Sequence, residues 1–218
     1  MQEVAKLEQV DYIGGLDPFS IDGNIEKVID FTIQLALDNN KGIDIHLHDM
    51  GKEGLYSIEY LIKQVLNNPI LQGKTYITHA YVLTDLSKKE EEKTAEKLAE
   101  AKIGIVSSIP FRGKRVMPIP TLLNHGVEIL VGNDNIQDHW SVMGTGNMLQ
   151  KANLIADLYG WETEFDLSRT LRFATNNIIP LNDNGIQQWP KIGDVANAVL
   201  IDASCSAEAV ARISSSNR

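Results

Sequence analysis

Apolar and polar residues recur along this chain with two different periods, and the changes of period mark its elements. Five short runs rich in β-branched residues read as buried strands: VDYIGGLD from Val10, GIDIHLHD from Gly42, KTYITHA from Lys74, KIGIVSSI from Lys102 and VEILVGND from Val127. Between them the spacing becomes helical. Asn24 to Asn39 carries apolar Ile25, Val28, Ile29, Ile33 and Leu35 to Leu37 with helical periodicity, and Ser87 to Lys102 carries Leu98 and small alanines on one side. Ser87 with Glu90 is a capping box, each side chain satisfying a backbone N–H that the helix start leaves unpaired. The strands begin at about 10, 42, 74, 102 and 127, intervals of 32, 32, 28 and 25 residues, close to the roughly 30 residues of a βαβ unit. The pattern βαβαβαβαβ predicts an α/β fold with a parallel sheet. A further helix is expected from about Thr145 to Tyr159, stopped by Gly160, and another from Asp166 to about Asn176 before Pro180. The segment WPKIGDVANAVLIDAS then predicts a turn and one more strand, Ala196 to Ile201, in a different sheet or a small appended domain.

Composition narrows the class. With 218 residues, 43% hydrophobic and 22% charged, the chain has the balance of a globular protein and enough length for one sizeable core. A formal charge of −9 repels polyanions and argues against nucleic acid as a partner. The single cysteine, Cys205, forms no internal disulfide, and the N-terminal residues lack a signal-peptide pattern, so the expected location is cytoplasmic. No apolar stretch approaches the roughly 18 residues of a membrane span. Neither a G-x-G-x-x-G nor a G-x-x-x-x-G-K-[ST] pattern occurs, GGLDP after the first strand included, so phosphate-cradling cofactors are not supported. The run KKEEEKTAEK is a solvated helix face.

Candidate chemistry lies at the ends of the strands. His46 in IDIHLHD, His79 in YITHA and Asp134 in ILVGND each follow an apolar strand. Parallel α/β folds build their sites at the C-terminal strand ends, so these three are expected to converge. Imidazoles and a carboxylate suit zinc or iron, and a metal so held lowers the pKa of bound water enough for hydrolysis. Alone, His46 or His79 reads as a hydrogen-bonded structural residue; the conjunction reads as a site. Asp49 is either an N-cap for the next helix or, beside a metal, a proton shuttle. His48, two residues beyond His46, is expected to face the opposite side if the strand continues. His125 reads as a helix-end residue without chemistry.

These residues resemble a known family. DIHLHD, ITHA and GNDNIQDHW followed by GTGNMLQKANL look like the C-terminal two-thirds of the cytosine-deaminase-like branch of the amidohydrolase superfamily, from GGLDP to GDVANAVLIDASCSAEAVA. The resemblance implies a partial (β/α)8 TIM-type barrel, about strands 4 to 8, over residues 1–180, with 181–218 entering a small flanking β-domain. It implies one divalent metal, zinc or iron, and attack of water on a carbon bearing an amine or amide. His46 matches a metal-ligand histidine, Asp134 the aspartate that binds metal and takes the water's proton, and His79 the histidine at the tetrahedral centre. Asp49 occupies the place of the glutamate that moves protons, Trp140 that of a pocket tryptophan, and Asn135 that of a second aspartate beside the substrate. Asp49 is one methylene short of that glutamate, Asn133 stands where a histidine often precedes the metal aspartate, and Asn135 removes a charge; together these turn the expectation away from cytosine itself. No H-x-H pair lies upstream of His46, and five units fall short of eight, so the sequence is expected to be part of a larger enzyme.

The expected partners are a small nitrogen heterocycle and water, with self-association left open. Three readings compete: a deaminase of an amino-heterocycle, a hydrolase of a cyclic amide or N-alkyl amine, and a non-catalytic α/β module.

Overall fold

The computed structural model describes residues 1–109 and 116–215. Its sheet has five strands, Tyr12–Leu16 (β1), Gly42–His46 (β2), Thr75–Thr78 (β3), Ile103–Ser107 (β4) and Ile129–Val131 (β5), in the order β1-β2-β3-β4-β5. The pairs β1–β2, β2–β3 and β3–β4 are parallel. Neighbouring parallel strands in chain order require a crossover each time, and helices supply it: Ile25–Asn39 (α1), Gly51–Asn67 (α2), Lys88–Glu100 (α3) and Ile119–Asn124 (α4). This is the parallel α/β architecture that the strand spacing predicts, and it is consistent with the partial (β/α)8 barrel that the resemblance implies.

Local chemistry sets the helix ends. Asn24 Oδ1 accepts from Lys27 N at 3.0 Å to start α1, and Asn40, at φ 52°, closes it in the left-handed conformation. Both halves of the Ser87–Glu90 capping box form at α3. Alternation then sorts the strand residues. Ile43 and Ile45 of β2, Ile77 of β3 and Ile103 and Ile105 of β4 are buried, as are Ile29 of α1, Ile58 and Leu61 of α2 and Leu98 of α3. Each such side chain contributes roughly 1.5–3 kcal/mol of burial, and this core holds the strand ends in register.

The other face of the sheet carries polar and aromatic groups. The rings of Tyr12 and Tyr76 meet edge to face at 5.8 Å. They lie close over two strand glycines: a Cβ on Gly42 would fall 2.5 Å from the Tyr12 ring, and one on Gly104 would fall 2.6 Å from the Tyr76 ring. The Tyr76 hydroxyl donates to Glu128 at 2.9 Å. Burial, followed by Glu128, raises its pKa above the ordinary tyrosine value.

Among the described residues the chain forms two compact units, 1–107 with 116–129, and 108–109 with 130–215. In the second, Met148–Tyr159 (α5), Glu164–Thr170 (α6) and Ser206–Arg212 (α7) pack on one another. Asn147 caps α5 and Gly160, at φ 66°, ends it. The helix expected from Asp166 to Asn176 is instead α6 continued by a 3-10 turn over Leu171–Ala174.

One expectation fails: Ala196 to Ile201 is not a strand. Among the described residues the run has only an isolated bridge position at Ile201, and Val199 and Leu200 stay 71% and 74% exposed. The helix α7 that follows is not predicted, since about two turns, SAEAVAR, give too short a period to read. Among the described residues no helix is long and apolar enough to cross a membrane.

Candidate functional site

Strand β2 delivers His46. Its alternation turns Ile43 and Ile45 into the core, and Asp44 and His46 are both partly exposed. Thr78 Oγ1 donates to Asp44 Oδ1 at 2.6 Å, and Asp44 Oδ2 lies 3.7 Å from His46 Nε2. In register with His46 stands Thr78, the last residue of β3, so the next residue, His79, is brought beside it. The His46 and His79 rings meet edge to face at 5.1 Å. His79 is 2% exposed, donates its backbone N–H to Val106 O at 2.9 Å and has φ 70°. A left-handed histidine followed by a left-handed Ala80 (φ 47°) is backbone strain located at a strand end, where functional sites collect it.

His48 overturns the expectation that it faces away from His46: residues two apart in an extended chain point to the same side, and His48 meets the same His79 ring at 4.4 Å and Tyr81 at 5.1 Å. The ends of β2 and β3 thus assemble His46, His48, His79 and Tyr81. Asp17, one residue past β1, fixes His48. Its Oδ2 lies 2.9 Å from His48 Nδ1, and its Oδ1 accepts the backbone N–H groups of His48 at 2.5 Å and Asp49 at 3.0 Å. Asp17 is buried and left-handed, φ 44°. It obeys the same rule as His79 and Asp134, an ionisable side chain at the end of a strand, and that rule is the signal that finds it in the sequence.

Asp49 is buried, and it does not cap α2, whose N-cap is Met50. Its carboxylate reaches back to the loop after β1, accepting from Phe19 N at 3.0 Å and Ser20 N at 3.3 Å. His125 is the helix-end residue expected, with Nδ1 2.9 Å from Thr121 O and Nε2 3.1 Å from Glu92.

Asp134, in the second unit, follows β5 and is again left-handed, φ 59°. Asn135 Nδ2 donates to Asp138 Oδ2 at 2.7 Å, and Trp140, 73% exposed, donates its backbone N–H to Asp138 Oδ1 at 2.9 Å. Asp138 thereby organises the loop, a role not foreseen. The N–H of Ser141, then the Asn135 amide, hold its pKa below the usual carboxylate value. In the same unit the Lys151 ammonium donates to the carbonyls of Ser108 and Ile109, at 3.3 and 2.5 Å. Burial lowers its pKa, while the charge of Asp134 opposes that shift.

Among the described residues no group of three or more His, Cys, Asp or Glu side chains stands together as a metal site. Of the expected site residues, the first unit brings two imidazoles into contact, His46 and His79, and Asp134 belongs to the second unit. A pair of imidazoles is short of a complete ligand set, and what the two rings can do by themselves is donate and accept hydrogen bonds and exchange protons.

The Amidohydrolase family matches residues 14–203, and the chain belongs to that family. The uncharacterized protein YahJ of Escherichia coli (strain K12) is 47% identical over 203 residues, 93% of this chain and 44% of that protein. The crystal structure of N-isopropylammelide isopropylaminohydrolase from Burkholderia multivorans ATCC 17616 superposes with a TM-score of 0.82 at 30% identity, covering 94% of this chain and 52% of the other. That of 5-methylcytosine deaminase from Klebsiella pneumoniae, liganded with 5-fluorocytosine, gives 0.80 at 22% identity, covering 100% and 56%, a likeness of fold. The chain spans about half the length of the relatives it matches.

Proposed function

We propose that this amidohydrolase chain serves a hydrolase that cleaves an exocyclic C–N bond of a small nitrogen heterocycle, releasing ammonia or a small amine. The observation that carries the reading is the contact of His46 with His79 at two neighbouring strand ends, with His48 held against them. Membership of the family supports the C–N hydrolase class. A buried imidazole at His79 is suited to donate a hydrogen bond to the oxygen of a developing tetrahedral centre. Asp134 takes the proton of the attacking water. Asp49 moves protons to the ring and the departing amine through the lone pairs its carboxylate does not give to Phe19 and Ser20. Asn135 and Trp140 contact the substrate. One divalent ion, zinc or iron, held through His46 and Asp134, would supply water of lowered pKa.

An N-alkyl amine as leaving group is favoured over ammonia by one observation: the match at 30% identity is to an isopropylaminohydrolase. The test is a panel of cytosine, 5-methylcytosine and N-isopropylammelide given to the protein carrying this chain, with ammonia and isopropylamine measured separately. Isopropylamine release, abolished in His79→Ala and Asp134→Ala, is expected. Turnover that survives either substitution would sink the assignment, and ammonia release alone would return the reaction to deamination.

A further inference from the structure

Asp17 and His48 have no place in the roles just given, yet they are joined more closely than any other ionisable pair near the strand ends. A carboxylate has no proton to donate, so the 2.9 Å contact between Asp17 Oδ2 and His48 Nδ1 requires the hydrogen on Nδ1. The ring geometry then directs Nε2 away from Asp17 and leaves it a bare acceptor. Asp17 Oδ1 also holds the backbone of His48 and Asp49, so one carboxylate sets the place of the ring and its tautomer together.

We propose that Asp17 is a positioning residue that holds His48 in the Nδ1–H tautomer, so that Nε2 accepts a hydrogen bond from an N–H of the bound heterocycle. The second half rests on the proposed substrate class. Neutral amino-heterocycles carry amine or ring N–H groups, and a fixed imidazole acceptor beside His79 discriminates for them against analogues that lack the donor.

The experiment is nitrogen–proton correlation spectroscopy of the 15N-histidine-labelled chain, roughly two pH units above the ordinary histidine pKa so that the rings are neutral. The expected spectrum has His48 Nδ1 protonated and Nε2 bare. Asp17→Asn, whose amide oxygen still accepts the two backbone N–H groups while its NH2 faces Nδ1, is expected to invert the tautomer. N-isopropylammelide is then added: it is expected to shift the His48 Nε2 resonance in the native chain and to lose that effect in Asp17→Asn.

A native His48 protonated on Nε2, or an unchanged tautomer in a folded Asp17→Asn chain, overturns the positioning role. The native spectrum decides this even if the variant fails to fold. A ligand that moves the His46 and His79 signals but not His48 Nε2 overturns the acceptor role alone. A ligand that moves none of the three counts against the substrate class and the acceptor role together, and leaves the tautomer result standing.

Discussion

The strand ends of β1 to β3 and the loop that follows β5 both carry polar side chains, but they are held in opposite ways. At the first, Asp17 and Asp49 bond to groups 29 to 32 residues away, and both carboxylates are buried. At the second, Asp138 bonds to Asn135, Trp140 and Ser141, two or three residues away and exposed. A long-range clasp ties its geometry to the sheet and is formed whenever the sheet is formed. A local turn has only its own short loop to order, so its shape is separable from the stability of the unit. The imidazole cluster therefore belongs to the rigid part of the molecule, and the Asn135–Trp140 segment to a part that a ligand can reshape at little cost.

The comparison breaks first at Gly54. A Cβ there would lie 2.1 Å from Asp49 O and 2.7 Å from its carbonyl carbon, both backbone atoms that cannot swing aside. Gly54→Ala is expected to cost about 3 kcal/mol or more, the upper range for overpacking. Denaturant unfolding monitored by circular dichroism measures it; a loss under about 1 kcal/mol would mean that the Asp49 backbone yields and the clasp is not rigid. Asp17→Ala follows, because it strands two backbone N–H groups and an imidazole N–H at once. Its expected cost is roughly 2–4 kcal/mol, read from the same unfolding curves.

Asp49→Ala ranks third, at about 1–3 kcal/mol for the unpaired N–H groups of Phe19 and Ser20. Asp49→Asn, which keeps an acceptor, should recover part of that loss. If the asparagine variant recovers stability but not turnover, Asp49 moves protons as well as holding the loop. If both recover, its carboxylate is structural.

These two aspartates also mark where the sequence stops being readable. Strand starts, the capping box at Ser87 and the arrest at Gly160 depend on residues close in the chain, and the structure has them where the periodicity puts them. His46 and His79 follow from a rule about strand ends, and the parallel register brings them into contact. What local spacing could not contain is the partner of Asp49, about thirty residues upstream. The opposite face expected for His48 fails for another reason: a period of two gives His46 and His48 the same face, and both rings meet His79. The Ala196 to Ile201 run fails because a strand needs a neighbour that its own sequence does not specify.

The smallest expected effect lies at Asp138, and it sharpens the contrast. Its pKa is depressed by the N–H of Ser141 and by Asn135, so the favourable contribution is present above the ordinary carboxylate value and is lost as the pH falls through the lowered one. Because the group is exposed, only the loop should respond. Amide resonances of Trp140 and Ser141 should move together with that acid titration, and Asp138→Ala should displace them at neutral pH while the unfolding midpoint stays where it is. Should Asp138→Ala instead lower the midpoint as Asp17→Ala does, the loop would be coupled to the core of its unit. A segment so coupled could not reshape around a ligand independently, and Asn135 and Trp140 would have to meet a substrate in the positions they already hold.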